Sequence, residues 1–237
     1  MTQDEQKQAA AEYAVKVVEN DVGVGLGTGS TANYFIKAAA EKVKRLKLNT
    51  VFVASSNASE ALANSLGLNV KSIEDVPQLD FTVDGADEID PQFRMIKGGG
   101  GAQLREKIVA SSSRFVVCIA DQSKAVEHLG AYPLPIEVSR FGVNATAWKI
   151  ERVLAKLGYK DVQMRIRAKS PDVPFITDSG NPIIDLKLGK ITNAEQLDLE
   201  LTALPGVIET GLFIGICGVL MLATDKGVEE ITRPNQK

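Results

Sequence analysis

Thiols, imidazoles and aromatic rings are scarce in this chain, and each scarcity excludes something. There are two cysteines, Cys118 and Cys217, too few for a disulfide framework. Both sit inside apolar runs, Phe115–Ile119 and Phe213–Cys217, where a free cysteine packs as a small hydrophobe; they are expected to be reduced and buried. The single histidine, His128, has no serine or cysteine partner pattern around it, so acid–base chemistry falls to carboxylates and lysine. Aromatic residues make up 5%, which leaves no stacking platform for single-stranded nucleic acid. The formal charge of −3 offers no basic face to a phosphate backbone. No apolar run approaches the roughly 20 residues of a membrane-spanning helix, and the polar opening Met1–Gln8 lacks the basic-then-apolar order of a secretory signal. The expected setting is cytoplasmic, with neither nucleic acid nor membrane as partner. What remains is 44% hydrophobic and 24% charged over 237 residues. That suffices for a main domain with a smaller companion.

The pattern along the chain alternates strands with helices. Ala10, Tyr13, Ala14, Val17 and Val18 repeat at helical spacing, predicting a helix over Asp4 to Glu19. The apolar run Val22–Leu26 leads through Gly27-Thr-Gly-Ser-Thr31 into a second helical segment, Ala32 to Leu46. A strand at Thr50 to Ala54 precedes a helix over Ala58 to Leu66, which Gly67 stops. Further strands are predicted near Asp80–Val83 and Arg114–Ala120, with a helix over Gln103 to Ser111 between them. This order implies an α/β fold, a Rossmann-like parallel sheet covered on both faces. Beyond Gly130 the order becomes strand (Leu134–Val138), helix (Ala145–Leu157), strand (Val162–Ile166), a hairpin turning at Asp178–Asn181 into Ile183–Leu188, helix (Asn193–Leu201) and a closing strand near Val207. That is the ferredoxin-like α+β arrangement. The expected organisation is a catalytic domain over 1–130, the ferredoxin-like subdomain over 131–207, and return strands over 208–237 that complete the first domain.

Three segments carry residues suited to chemistry. Gly27-Thr28-Gly29-Ser30-Thr31 lies between a strand and a helix, where free backbone N–H groups, a positive helix end and three hydroxyls suit a phosphate dianion. The same residues also read as a glycine turn with a Ser/Thr helix cap. A dinucleotide fingerprint would require an acidic residue about 20 positions on, but the second strand ends Phe52-Val-Ala-Ser-Ser56. A monophosphate therefore fits better than a nucleotide. Asp84-Gly85-Ala86-Asp87-Glu88 packs three carboxylates beside a strand end, and Gly85 can bend the chain so that Asp84 and Asp87 share a crevice. A solvated acidic loop or a magnesium site are the competing interpretations. Lys97-Gly98-Gly99-Gly100-Gly101 spends four consecutive glycines, which is entropically costly unless backbone must press against a ligand. Glu106 projects roughly 200° from the stripe of Leu104 and Ile108, as an exposed surface glutamate also would. Lys124, just past another strand end, can supply a point charge to an anion or lie on the surface as an ordinary lysine.

Taken together, Gly-Thr-Gly-Ser-Thr at 27–31, Asp-Gly-Ala-Asp at 84–87, Lys-Gly-Gly-Gly at 97–100, Arg105-Glu106-Lys107 and Ser123-Lys124 resemble ribose-5-phosphate isomerase of the A type. The resemblance runs over essentially the whole chain. It implies interconversion of ribose 5-phosphate and ribulose 5-phosphate through an enediolate, with no metal or organic cofactor and with a homodimer or larger assembly. Position by position, it implies that Thr28, Gly29, Ser30 and Thr31 contact the substrate. Asp84 and Asp87, with Gly85 and Ala86, would bind sugar hydroxyls, Asp84 helping to open the furanose ring. Lys97 and the backbone of Gly98, Gly99 and Gly100 would hold the oxyanion. Glu106 would be the general base, and Lys124 would bind the phosphate. An amino-sugar-phosphate deaminase shares such a glycine loop. A phosphosugar-sensing module of a transcription regulator is disfavoured, because only one helix precedes the first strand and a helix-turn-helix needs two.

Overall fold

A computed structural model describes residues 1–171 and 173–234. A reciprocal capping box between Thr2 and Glu5 starts α1 (Gln3–Ala14). The helix ends earlier than its spacing predicts. Val15–Val17 tighten into a 3₁₀ turn and Val18 is extended, as suits a run of β-branched side chains. Next come β1 (Gly23–Leu26), α2 (Ser30–Leu46), β2 (Val51–Ala54), α3 (Asn57–Ser65) and β3 (Leu79–Asp84). The short strands β4 (Glu88–Ile89) and β5 (Met95–Ile96) follow, then α4 (Gln103–Ser111) and β6 (Ser113–Asp121). The second region holds β7 (Leu134–Val138), α5 (Val143–Lys156), β8 (Gln163–Ile166), β9 (Ala168–Ser170), β10 (Val173–Pro174), β11 (Ile183–Lys187), α6 (Ala194–Thr202) and β12 (Val207–Thr210). The chain closes with β13 (Leu212–Phe213), β14 (Cys217–Thr224) and β15 (Gly227–Thr232).

The main sheet has the order β15-β14-β6-β3-β1-β2, parallel throughout except for β15. Helices α1 and α2 bury Ala10, Ala14, Phe35, Ile36 and Ala39 against Val24, Leu26, Val83, Val117 and Ile119 of this sheet. On the opposite face, Val109 of α4 packs on Leu79 and Val53. The chain steps from β1 to β2 on one side and then returns to place β3 on the other. The carboxyl ends of β1 and β3 therefore flank the point where strand order reverses, which is where such sheets hold ligands.

The second sheet, in the order β12-β7-β11-β8, is wholly antiparallel, the ferredoxin-like order. It packs Ile136, Val138, Ile184 and Leu186 against Ile150, Leu154, Leu197 and Leu201 of α5 and α6. The hairpin turn falls where its residues predict, with Gly180 at φ +86°. The hairpin itself is deeper than a simple β8–β11 pair, because β9 and β10 form a small ladder of their own before the Ile176–Pro182 bridge. A third sheet, β13-β5-β4, ties the start of the tail to the segment beside Asp87. Cys118 and Cys217 are free and buried.

Candidate active site

At the carboxyl ends of β1 and β3, a cleft of about 120 Å³ is lined by Thr28, Gly29, Ser30, Thr31, Gly85, Ala86, Asp87, Lys97, Gly98, Gly99, Gly100, Glu106 and Lys124, joined by Lys7. One wall is the start of α2. Gly29 is its N-cap residue, at φ +112°, and no side chain caps the helix. The hydroxyls of Ser30 and Thr31 are therefore not spent as caps, and Gly29, Ser30 and Thr31 bring the uncapped start of the helix to the cleft. Thr28 is fixed differently: its hydroxyl meets Ser55 Oγ at 2.9 Å, and its N–H donates to Asp84 Oδ1 at 3.1 Å.

The opposite wall is Lys97, the glycine tract and α4. Lys97 is 4% exposed; its Nζ lies 2.8 Å from Asp84 Oδ2 and 3.3 Å from Glu106 Oε1, and donates to the Gly85 carbonyl at 2.6 Å. Asp84 is the one expected contact residue that does not line the cleft. It lies behind Lys97 with Oδ2 against the ammonium and Oδ1 accepting from the N–H groups of Thr28 and Gly85. Asp87 does reach the cleft and accepts from the Gly99 N–H at 2.7 Å. Glu88, the third carboxylate of the cluster, is neither solvated nor in the cleft. It is buried and receives the N–H groups of Gly130 and Tyr132 at 2.7 and 2.5 Å.

Helix α4 faces the other way from what its apolar residues predict. Ile108 is exposed, while Gln103, Glu106, Val109 and Ala110 are buried. Glu106 is thus an inward residue with Oε2 unpartnered among the described residues. Burial pushes its carboxyl up, Lys97 pulls it down and Asp84 pushes it up again, leaving it at about 8. One ammonium cannot fully compensate two buried carboxylates. Burial raises the Asp84 carboxyl as well, against Lys97 and the N–H donors of Gly85 and Thr28, so the two carboxylates share the extra proton. Burial works against the Lys97 ammonium, but Asp84 and Glu106 outweigh it and hold its pKa above the ordinary lysine value.

Sequence reasoning missed Lys7, which α1 brings to the cleft that Lys124 also lines. It also missed Arg167 and Gln103. Arg167 reaches the glycine tract from the second sheet. Gln103 is fully buried, with both amide atoms unpartnered among the described residues. Lys7 and Arg167 belong to no local motif, and Gln103 lies between Gly101 and Glu106 with nothing local to mark it as buried.

A family profile described as ribose 5-phosphate isomerase A (phosphoriboisomerase A) matches residues 51–227. A ribose-5-phosphate isomerase A from Methylorubrum extorquens is 47% identical over 227 residues, covering 96% of this chain and 95% of that one. The solved ribose 5-phosphate isomerase from Plasmodium falciparum superposes with a TM-score of 0.91 at 33% identity, over 98% of this chain and all of the other. A D-ribose-5-phosphate isomerase solved in complex with phospho-erythronic acid gives 0.89 at 36% identity, with coverage of 98% and 100%. With full-length identity of this order and the same fold around the cleft, the chain belongs to the ribose-5-phosphate isomerase A family of aldose–ketose isomerases.

Proposed function

We propose that the chain interconverts D-ribose 5-phosphate and D-ribulose 5-phosphate by proton transfer between C2 and C1 through an enediolate, with Glu106 as the base. The observation that carries this reading is the buried Asp84–Lys97–Glu106 trio on the cleft wall. A C–H beside a carbonyl is a poor acid, so its proton leaves only if the oxygen's growing charge is met at the same time. Lys97 and the backbone N–H groups of the glycine tract supply that charge from fixed positions; donors of this kind contribute about 10²- to 10³-fold each. The unpartnered Glu106 Oε2 is the acceptor, and a positioned carboxylate contributes about 10²- to 10⁴-fold. C1 and C2 are adjacent, so one carboxylate serves both without moving far.

The remaining residues hold the substrate. The first turn of α2, with Lys7 and Lys124, forms the anion cradle of the cleft. Phosphate binding there supplies the remote energy that positions the reacting carbons. Asp87 takes sugar hydroxyls, and Asp84 acts through Lys97, keeping the ammonium charged and aimed. A phosphorylated four-carbon acid such as phospho-erythronic acid carries a planar carboxylate in place of the two enediolate oxygens, and it is expected to compete with substrate here. The test is ketose formation from ribose 5-phosphate with no added cofactor, by the protein and by Glu106→Gln. Turnover that survives this substitution would refute the assignment of the base.

A further inference from the structure

The glycine tract does not hold its shape alone. Arg167, at the junction of β8 and β9, has its own backbone locked on both sides: its N–H donates to the Ile183 carbonyl and its carbonyl accepts from the Phe175 N–H, both at 2.8 Å. Its guanidinium meets Asp185 of β11 with two bonds, Nε to Oδ2 at 2.9 Å and Nη2 to Oδ1 at 2.5 Å. The remaining nitrogen, Nη1, reaches out of the second sheet and donates to the carbonyls of Gly98 at 2.8 Å and Gly99 at 3.2 Å.

A trans peptide holds its C=O and N–H in one plane, pointing in opposite directions, and no peptide among the described residues is cis. Drawing the Gly98 and Gly99 carbonyls toward Arg167 therefore turns the following N–H groups, of Gly99 and Gly100, away from it. The Gly99 N–H donates to Asp87 Oδ2 at 2.7 Å. The Gly100 N–H has no acceptor among the described residues, and Gly100 lines the cleft. Gly98 sits at φ +101°, and a Cβ there would lie 2.8 Å from both Gln103 Oε1 and Pro135 Cγ. The tract is thus supported from below and pulled from one side.

We propose that Arg167, held by Asp185, is a positioning residue for the isomerisation: it fixes the orientation of two peptide planes so that the Gly100 N–H meets the enediolate oxygen and the Gly99 N–H sets Asp87. The inference rests on the enediolate reading above. It makes the second sheet part of the catalytic apparatus through an ion pair that never touches substrate.

The experiment compares the full-length protein with Arg167→Ala and Arg167→Lys. It measures kcat, KM, inhibition by phospho-erythronic acid, inhibition by inorganic phosphate, and recovery of kcat on adding guanidinium. For Arg167→Ala the expected result is a fall in kcat of about 10- to 100-fold, smaller than the roughly 10²- to 10³-fold of removing an oxyanion donor because the Gly100 N–H is loosened and not lost. Affinity for the acid falls by a similar factor, while KM and phosphate inhibition stay within about twofold. Guanidinium restores part of the lost turnover. An unchanged kcat overturns the proposal, as does a loss that extends equally to phosphate inhibition and ignores guanidinium. Should Arg167→Ala not fold, Arg167→Lys decides. A single ammonium cannot bond both Asp185 and the two carbonyls, so a several-fold loss of kcat supports the role and wild-type turnover removes it. Failure of the underlying reading looks different: the unmodified protein would then bind the acid no better than inorganic phosphate.

Discussion

Replacing Glu106 with glutamine tests both the chemistry and the electrostatics of the trio. The side chain keeps its shape and loses its proton-accepting oxygen, so kcat is expected to fall by about 10²- to 10⁴-fold with little change in KM. Stability gives the second, independent readout. The Glu106 carboxyl moves from 4.5 to about 8 on burial next to Asp84. Through that interval the folded protein retains a proton that the unfolded chain has released, so stability falls as pH rises and the loss is complete above about 8. A displacement of this size is on the order of 5 kcal/mol at the alkaline end of the window. The glutamine variant carries no such charge. Urea unfolding of both proteins from about pH 5 to pH 9 should show near-equal stability at the acid end and a variant that becomes progressively the more stable one as pH rises. In the unmodified protein kcat/KM should climb over the same range and level off above about 8, as the base of the free enzyme ionises. Parallel stability curves for the two proteins would refute the reasoning, because the shifted proton would then reside elsewhere.

Lys7→Ala and Lys124→Ala, at two lysines that line the same cleft, are each expected to raise KM for the phosphorylated sugar with a minor effect on kcat. Steady-state kinetics at two salt concentrations checks this, since an anion contact weakens with salt. In Gly27→Ala the new Cβ would lie 2.0 Å from Asp84 Oδ1. Asp84 must then shift and release Lys97, costing about 1–3 kcal/mol of stability and most of the turnover; denaturant melts and activity are both read. Activity is expected to persist in a chelator, because Asp84 is committed to Lys97 and backbone N–H groups, and no group of three or more His, Cys, Asp or Glu among the described residues could hold a metal ion. Loss of activity restored by a divalent cation would reopen the acidic cluster as a metal site.

Elements whose stability comes from their own pattern were readable from the sequence. The bounds of β7 and α4 coincide with the predicted ones, Leu134–Val138 and Gln103–Ser111. Orientation was less readable. In α4 the apolar Leu104 and Ile108 suggested one buried face, yet Ile108 is 43% exposed and Glu106 and Gln103 are inside. Hydrophobic periodicity assumes that the inward neighbour is apolar. Here the inward neighbours are Lys97 and a glycine loop, so the polar residues turn in. The two-residue strands β4, β5 and β13 are too short to carry any periodicity. Arg167 is separated by 69 residues from Gly98, and no local spacing encodes that contact.

The glycine tract unites what was legible with what was not. Four glycines in a row carry a conformational cost that the sequence alone displays; a backbone so free must be restrained from outside if its amides are to serve as fixed donors. The restraints come from separate parts of the fold. Asp87 takes the Gly99 N–H, Gln103 and Pro135 crowd Gly98 from beneath, the Phe175 ring closes over Gly101, and Arg167 takes two carbonyls. A side chain at three of the four positions would collide: a Cβ on Gly101 would lie 2.3 Å from Phe175, one on Gly99 would lie 2.6 Å from both Asp87 Oδ1 and the Tyr132 hydroxyl, and one on Gly98 would lie 2.8 Å from Gln103 Oε1. Flexibility of the residue type is therefore what permits rigidity of the loop, because only bare backbone can be gripped this closely from so many directions. A donor held by such contacts needs no reorganisation when charge develops in front of it, and that is where preorganised electrostatic catalysis gains its advantage over water.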